Sequence, residues 1–428
     1  MNRQREDRDG VASSTDGRVA AEIPRGALCA NMTETSCVTA ISEQGGKENQ
    51  HGNDERFCSA RCRCDRSMQV YDDYFVRRQQ GVRESANTVD FDFAHHLQPG
   101  ARNDVVWGLG YRAISDQYTL GFNVTFLPPH HTENLFSTFF EDEIKVTSSL
   151  SLTLGSKFEH NAYTGFEFEP GAQLVWNISR RNALWASAAR AIRQPSRRDY
   201  GIDADLAVIP LNYNNYGVLE LRGNPQTISE QLKDFELGYR TQLGKSFSID
   251  AVAFLSFYRR LASVAPGTPF FTTQDGTPHL VLPLVLGYGG RSDNHGAEIF
   301  AHWSVNRRWQ LIPGFSWLNM GLADPGQGGI TVRDTANSPT RSFQLRSSVN
   351  LTRRLEWDAS LSSVSHIGSV PGYARPDTRL GWRVGESFEV SIVGQNLLTP
   401  RHFEFPDQYS ILSTPVERSV SVKVTVRF

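Results

Sequence analysis

The stretch EVSIVGQNLLTPRHFEFPDQYSILSTPVERSVSVKVTVRF, residues 389–428, decides how the chain is read. Its last nine residues alternate strictly. Val420, Val422, Val424, Val426 and Phe428 share one face; Ser421, Lys423, Thr425 and Arg427 share the other. Successive side chains on a strand point to opposite sides, so this is a strand with one oily and one wet face. A soluble sandwich tolerates one such strand. A membrane barrel needs the pattern in every strand, because hydrocarbon lies outside it and polar groups within. Two features separate these cases: recurrence of the strand, and the lengths of its connections.

The strand recurs. Period-2 runs occupy 69–78, 88–97, 104–114, 133–146, 149–160, 166–178, 182–192, 231–243, 247–260, 289–305, 309–320, 341–352, 355–367, 377–384, 388–398 and 416–428, which makes 16 strands. Short turns at 98–102, 147–148, 179–181, 244–246, 306–308, 353–354 and 385–387 alternate with longer loops at 115–131, 193–230, 261–288, 321–340, 368–376 and 399–415. Strict alternation puts all short turns at one end and all long loops at the other. An up-and-down meander does this, whereas a Greek-key sandwich does not keep the parity. The expected fold is all-β: an antiparallel up-and-down transmembrane β-barrel.

Composition agrees. No run of about 18 apolar residues occurs, which excludes transmembrane helices but not membrane strands. Of the 428 residues, 25 are Phe, 13 Tyr and 8 Trp, a supply that suits aromatic girdles. The formal net charge of −2 gives no pull toward nucleic acid. All five cysteines (Cys29, Cys37, Cys58, Cys62 and Cys64) precede residue 65, in a polar stretch that lacks period-2 runs. Residues 1–66 are expected to be disordered or foreign to the domain at 67–428. Their Cys-x3-Cys-x-Cys spacing lacks a fourth metal ligand, and no apolar leader core is found in MNRQREDRDGVASST.

Several blocks, in order, resemble the carboxy-terminal barrel of TonB-dependent outer-membrane receptors. LFSTFFEDEIKVTSSLSLTLGSKFEHNAYTGFEFEPGAQLVW resembles the mid-barrel strands, and LWASAARAIRQPSRRD a strand leading into a loop. In GNPQTISEQLKDFELGYR the matching residues are Pro225, Glu230, Glu236, Leu237, Gly238 and Tyr239. VGQNLLTPRHFEF resembles the penultimate strand, and Phe428 the terminal signal read by the barrel assembly machinery. The family barrel has about 22 strands around a plug. About 16 of 22 are found here, so the barrel is expected to be incomplete and the chain a truncated or frameshifted product. The resemblance implies a place in the bacterial outer membrane, in contact with the lipid bilayer. It implies import of a ferric siderophore, with cobalamin as second choice. Contact with TonB would run only through the missing plug, so the chain alone would be inactive.

The longest loop carries the expected ligand contacts. Arg193, Arg197, Arg198 and Tyr200 enter it, and Tyr213 and Tyr216 follow. Guanidinium groups pair with carboxylate or catecholate oxygens, and tyrosine adds amphipathic contact area. The bland alternative is a solvated loop. His130 and His131 follow two prolines, and Glu141, Asp142 and Glu143 form an acidic run; neither has a catalytic or metal-site partner. No G-x-S-x-G elbow or phosphate loop occurs, so no enzyme and no cofactor is expected. Most of the eight tryptophans are read as girdle residues. A passive channel and a soluble β-rich binding protein remain as alternatives.

Overall fold

The structure, a computed structural model, describes residues 65–79, 82–119, 121, 123–212, 215–273, 276, 278–323, 338–406 and 413–427. The cysteine-bearing segment, Tyr213 and Phe428 lie outside them. In chain order the strands are β1 (Asp65–Gln79), β2 (Val82–Leu97), β3 (Asn103–Thr119), β4 (Val124–Phe126), β5 (His130–Lys145), β6 (Leu150–Asn161), β7 (Gly165–Ser179) and β8 (Asn182–Arg193). One helix, α1 (Arg197–Gly201), then precedes β9 (Ile202–Asn212), β10 (Asn215–Arg222), β11 (Glu230–Leu243), β12 (Phe247–Pro266), β13 (Phe270–Thr272), β14 (His279–Asn306) and β15 (Trp309–Ala323). The chain ends with β16 (Arg341–Asn350), β17 (Leu355–Val364), β18 (Tyr373–Arg383), β19 (Phe388–Gln395), β20 (Arg401–His402), β21 (Val416–Glu417) and β22 (Ser419–Val426).

Sixteen of these are the expected strands. Each pairs antiparallel with the next along the meander, from β1–β2 through β19–β22. Among the described residues no pairing joins β22 to β1. The loops differ from expectation. Stretches 193–230 and 261–288 are not irregular: β9 and β10 form a hairpin, β12 and β14 run on into the loop region, and β10 pairs with β14 in parallel. The LVLPLVL run (280–286) is apolar on both parities and broken by Pro283, and with no period-2 signal it reads as loop from sequence.

Register makes the two faces continuous. Val422 pairs with Ile392, Ile392 with Leu380, Leu380 with Trp357, Trp357 with Val349, and Val349 with Trp309. A slip of one residue in any strand would throw its apolar set to the wrong side. These side chains stay exposed: Val422 is 66% accessible and Ile392 52%. A large exposed apolar face has one physical solution in a sheet of this kind, which is hydrocarbon.

The opposite face is ionic. Arg379 pairs with Asp358 at 2.8 Å and also with Glu389, while Arg383 and Arg427 approach Glu389 at 3.8 and 3.6 Å. Arg240 and Asp250 pair across β11–β12. Seven tryptophans have the outward parity of the girdle reading. Trp185 is the exception. It lies opposite Gly238, on the face away from the exposed Leu237 and Tyr239, and a Cβ on Gly238 would sit 2.1 Å from its indole. The glycine of ELGYR therefore makes room for a ring on the polar side.

The GQNLL segment ends β19 with Asn396, a fully buried residue at φ 52°. Its amide N–H donates to Asp377 Oδ1 (2.8 Å) and its Nδ2 to the carbonyl of Val416 (3.0 Å), and its Oδ1 accepts from Thr399 (3.1 Å). Asn tolerates this left-handed backbone, and its amide ties the loop before β22 to β18. Asn396→Ala is expected to cost about 2–3 kcal/mol, from lost hydrogen bonds and left-handed strain. A denaturant titration of the detergent-folded protein measures this. Asn396→Gly removes only the strain part and should fall between the two.

Candidate functional site

The long-loop end carries the expected contacts, built on one short helix. Ser196 caps α1: its hydroxyl accepts from the Asp199 N–H, and the Asp199 carboxylate accepts from the Ser196 N–H at 2.9 Å. This is a reciprocal capping box, legible in the sequence as Ser-Arg-Arg-Asp. The helix is then wedged. Leu127 N–H donates to the Gly201 carbonyl (2.7 Å), Asn224 N–H to the Asp199 carbonyl (2.9 Å), and Gly223 N–H to the Ile202 carbonyl (2.6 Å). A Cβ on Gly223 would lie 2.6 Å from Gly201 N, so the GNP glycine permits this close approach.

The arginines separate by role. Arg197 is buried and pairs with the buried Asp116 carboxylate at 3.2 Å. Its other nitrogens donate to the carbonyls of Leu127 and Pro128, and its guanidinium lies over the Tyr118 and Phe126 rings. That side chain is wholly engaged in holding α1 against β3 and β4. Arg193 donates twice to Glu230, at 2.8 and 2.7 Å, yet half of it stays exposed. Glu230 also accepts from the Ala262 N–H at 2.7 Å, which explains the motif glutamate. Arg198 is exposed at the surface of α1.

Aromatic rings gather beside it. His131 stacks on both Tyr163 and Tyr200, at 5.7 and 5.4 Å between centroids, and the Tyr163 hydroxyl donates to Glu133. Sequence reasoning set His131 aside and missed Tyr163; only the fold brings residues 131, 163 and 200 together. Tyr216 lies apart, on β10, stacked on His279 at 5.6 Å. Near it Arg222 sits over Phe270 at 4.8 Å and pairs with Glu220. Asp203, across from Arg222 on β9, is pushed up to about 7 by burial, by its hydrogen bond to Glu220 and by that group's charge. Among the described residues no cluster of His, Cys, Asp or Glu has the geometry of a metal site.

An amphipathic antiparallel meander with an apolar outward face, an ionic opposite face and ordered loop strands at one end defines the wall of a membrane β-barrel. A family model for the TonB-dependent receptor-like β-barrel matches residues 41–397, and the chain belongs to that family. The match begins inside the segment read as foreign. No curated protein matches the sequence. Among solved structures, a ferric enterobactin receptor from Pseudomonas aeruginosa superposes with a TM-score of 0.69 at 13% identity, over 88% of this chain and 60% of that one. A siderophore receptor from Acinetobacter baumannii gives 0.64 at 13% identity, over 85% and 59%. The FrpB iron transporter from Neisseria meningitidis gives 0.63 at 13% identity, over 85% and 60%. The chain thus spans about 60% of the length of the first of these receptors. The family is one of outer-membrane transport receptors rather than enzymes, and the soluble binding-protein alternative is set aside.

Proposed function

We propose that this chain supplies the wall and outer loops of a bacterial outer-membrane receptor for an anionic, aromatic-rich nutrient complex. A ferric siderophore fits first and cobalamin second. The observation that carries the reading is the wedged helix α1. It presents Arg198 and the Tyr200–His131–Tyr163 stack from a rigid base, with Arg193 beside them. Exposed guanidinium groups beside aromatic faces suit catecholate oxygens and rings together. Arg197 serves as the fastener of this platform rather than as a contact. Tyr216, on the neighbouring β9–β10 hairpin, and Tyr213, outside the described residues, stay candidates for further contact. Support comes also from the solved siderophore receptors that share the fold. Energy coupling to TonB would run through a plug, and the wall alone would bind without pumping. The barrel assembly machinery would insert it.

Titration of the reconstituted chain with a ferric tricatecholate, a ferric hydroxamate and cyanocobalamin tests this. Tryptophan quenching should saturate with the catecholate, and Arg198→Ala with Tyr200→Ala should weaken binding at least tenfold, about 1.4 kcal/mol. Unselective ion conductance without saturable binding of any of the three would instead make the chain a passive channel.

A further inference from the structure

The short-turn end carries a second, unassigned surface. Three of its turns hold adjacent arginines, at 180–181, 307–308 and 353–354. They are built alike. The N–H of the second arginine donates to a side chain two residues back: Ser179 Oγ at 3.2 Å, Asn306 Oδ1 at 2.8 Å and Thr352 Oγ1 at 3.1 Å. The carbonyl of the same arginine accepts from a neighbouring strand, from Gln242, Asn350 and Arg383 respectively. Each turn is thus pinned on both sides, with its guanidinium groups left exposed. Among the described residues none of these six side chains has an ion-pair partner. Arg102 and Lys245 add charge at this end, against Glu386 alone in the short turns.

One of these turns stands over a groove. Thr352, Leu355, Leu380, Trp382, Val390 and Ile392 line a cavity of about 480 Å³ on the outward face. Register explains it: Leu355 pairs with Trp382, and Leu380 with Ile392, all on the lipid side of β17, β18 and β19. Trp382 is 53% exposed at its edge. An apolar slot whose lining residues Thr352 and Leu355 flank two exposed arginines matches a molecule with a hydrocarbon tail and an anionic head.

We propose that this groove seats one acyl chain of an anionic phospholipid of the adjoining leaflet, with its phosphate held by Arg353 and Arg354. Arginine binds phosphate in a fork, while a zwitterionic head brings a cation that the paired arginines repel. The site rests on the membrane-spanning reading, not on the nutrient reading, and stands whether or not a siderophore binds.

The test uses the full chain folded in neutral detergent, with heat-modifiable migration as the folding check. Native mass spectrometry with equimolar phosphatidylglycerol and phosphatidylcholine should show at least fivefold more retained phosphatidylglycerol. Arg353→Gln with Arg354→Gln should bring the ratio near one. Arg307→Gln with Arg308→Gln, in a like turn elsewhere at this end, should leave most of the preference. In the unaltered chain, phosphatidylglycerol brominated on its acyl chain should quench tryptophan fluorescence more than the phosphatidylcholine analogue, and Trp382→Phe should remove the difference. Equal retention of the two lipids, equal loss in both double variants, or full displacement by millimolar inorganic phosphate would overturn the proposal.

Discussion

Arg197→Ala should detach the outer platform. The side chain it removes is buried, ion-paired to Asp116 and bonded to two loop carbonyls. Asp116 would be left buried with only the His131 N–H, at 3.1 Å, to stabilise its charge. Breaking one side of a buried pair costs about 3–5 kcal/mol, because the orphaned charge keeps its desolvation penalty. The loss should be local, since the meander strands do not depend on α1. Hydrogen exchange should speed up by two to three orders of magnitude at 124–131 and 197–204, with β15 to β19 unchanged. Exchange altered less than tenfold at these segments would mean that the helix is held by its cap and backbone bonds alone. Arg198→Ala, one position along, should leave exchange unchanged and act only on ligand binding.

Val424→Arg should impair membrane assembly, while Thr425→Arg should be tolerated. Val424 is 54% exposed on the lipid face and pairs with Val390. An arginine on the lipid face costs about 2–4 kcal/mol at mid-membrane and about 0–1 kcal/mol near an interface, so at position 424, close to the short-turn end, the penalty falls toward the lower figure. Position 425 points the other way and pairs with Glu389, a carboxylate already approached by Arg379 and Arg427. A further cation there joins an existing ionic cluster instead of entering hydrocarbon. Folding yield in lipid vesicles, read from heat-modifiable migration, compares the two. Equal yields would place both residues in the same solvent.

The strands were legible because lipid and lumen impose period 2 on each. All sixteen spanning strands fall where the alternation lies, and the short turns fall between them. The loop strands were not, since β10 and the outer half of β14 are covered on both faces and lose the alternation that one wet face imposes. Arg197 and Arg198 were indistinguishable in sequence. A helix turns about 100° per residue, so neighbours on α1 face opposite surroundings, and only the packing of β3 and β4 says which is buried. Trp185 illustrates the same limit: a tryptophan reads as a girdle residue until strand register shows which face it takes. Ser196 and Asp199 did carry a signal, a capping box three residues apart in front of the motif tyrosine.

The most direct test of the central claim is spin-label accessibility along β22. Labels are placed singly at 420 to 427, in vesicle-reconstituted protein whose five native cysteines are replaced by serine. Even-numbered positions should be accessible to oxygen and shielded from a polar nickel reagent, and odd-numbered positions the reverse, with period 2 throughout. Uniform accessibility to the nickel reagent, or alternation in the opposite phase, would contradict a membrane-spanning wall with its valines in lipid.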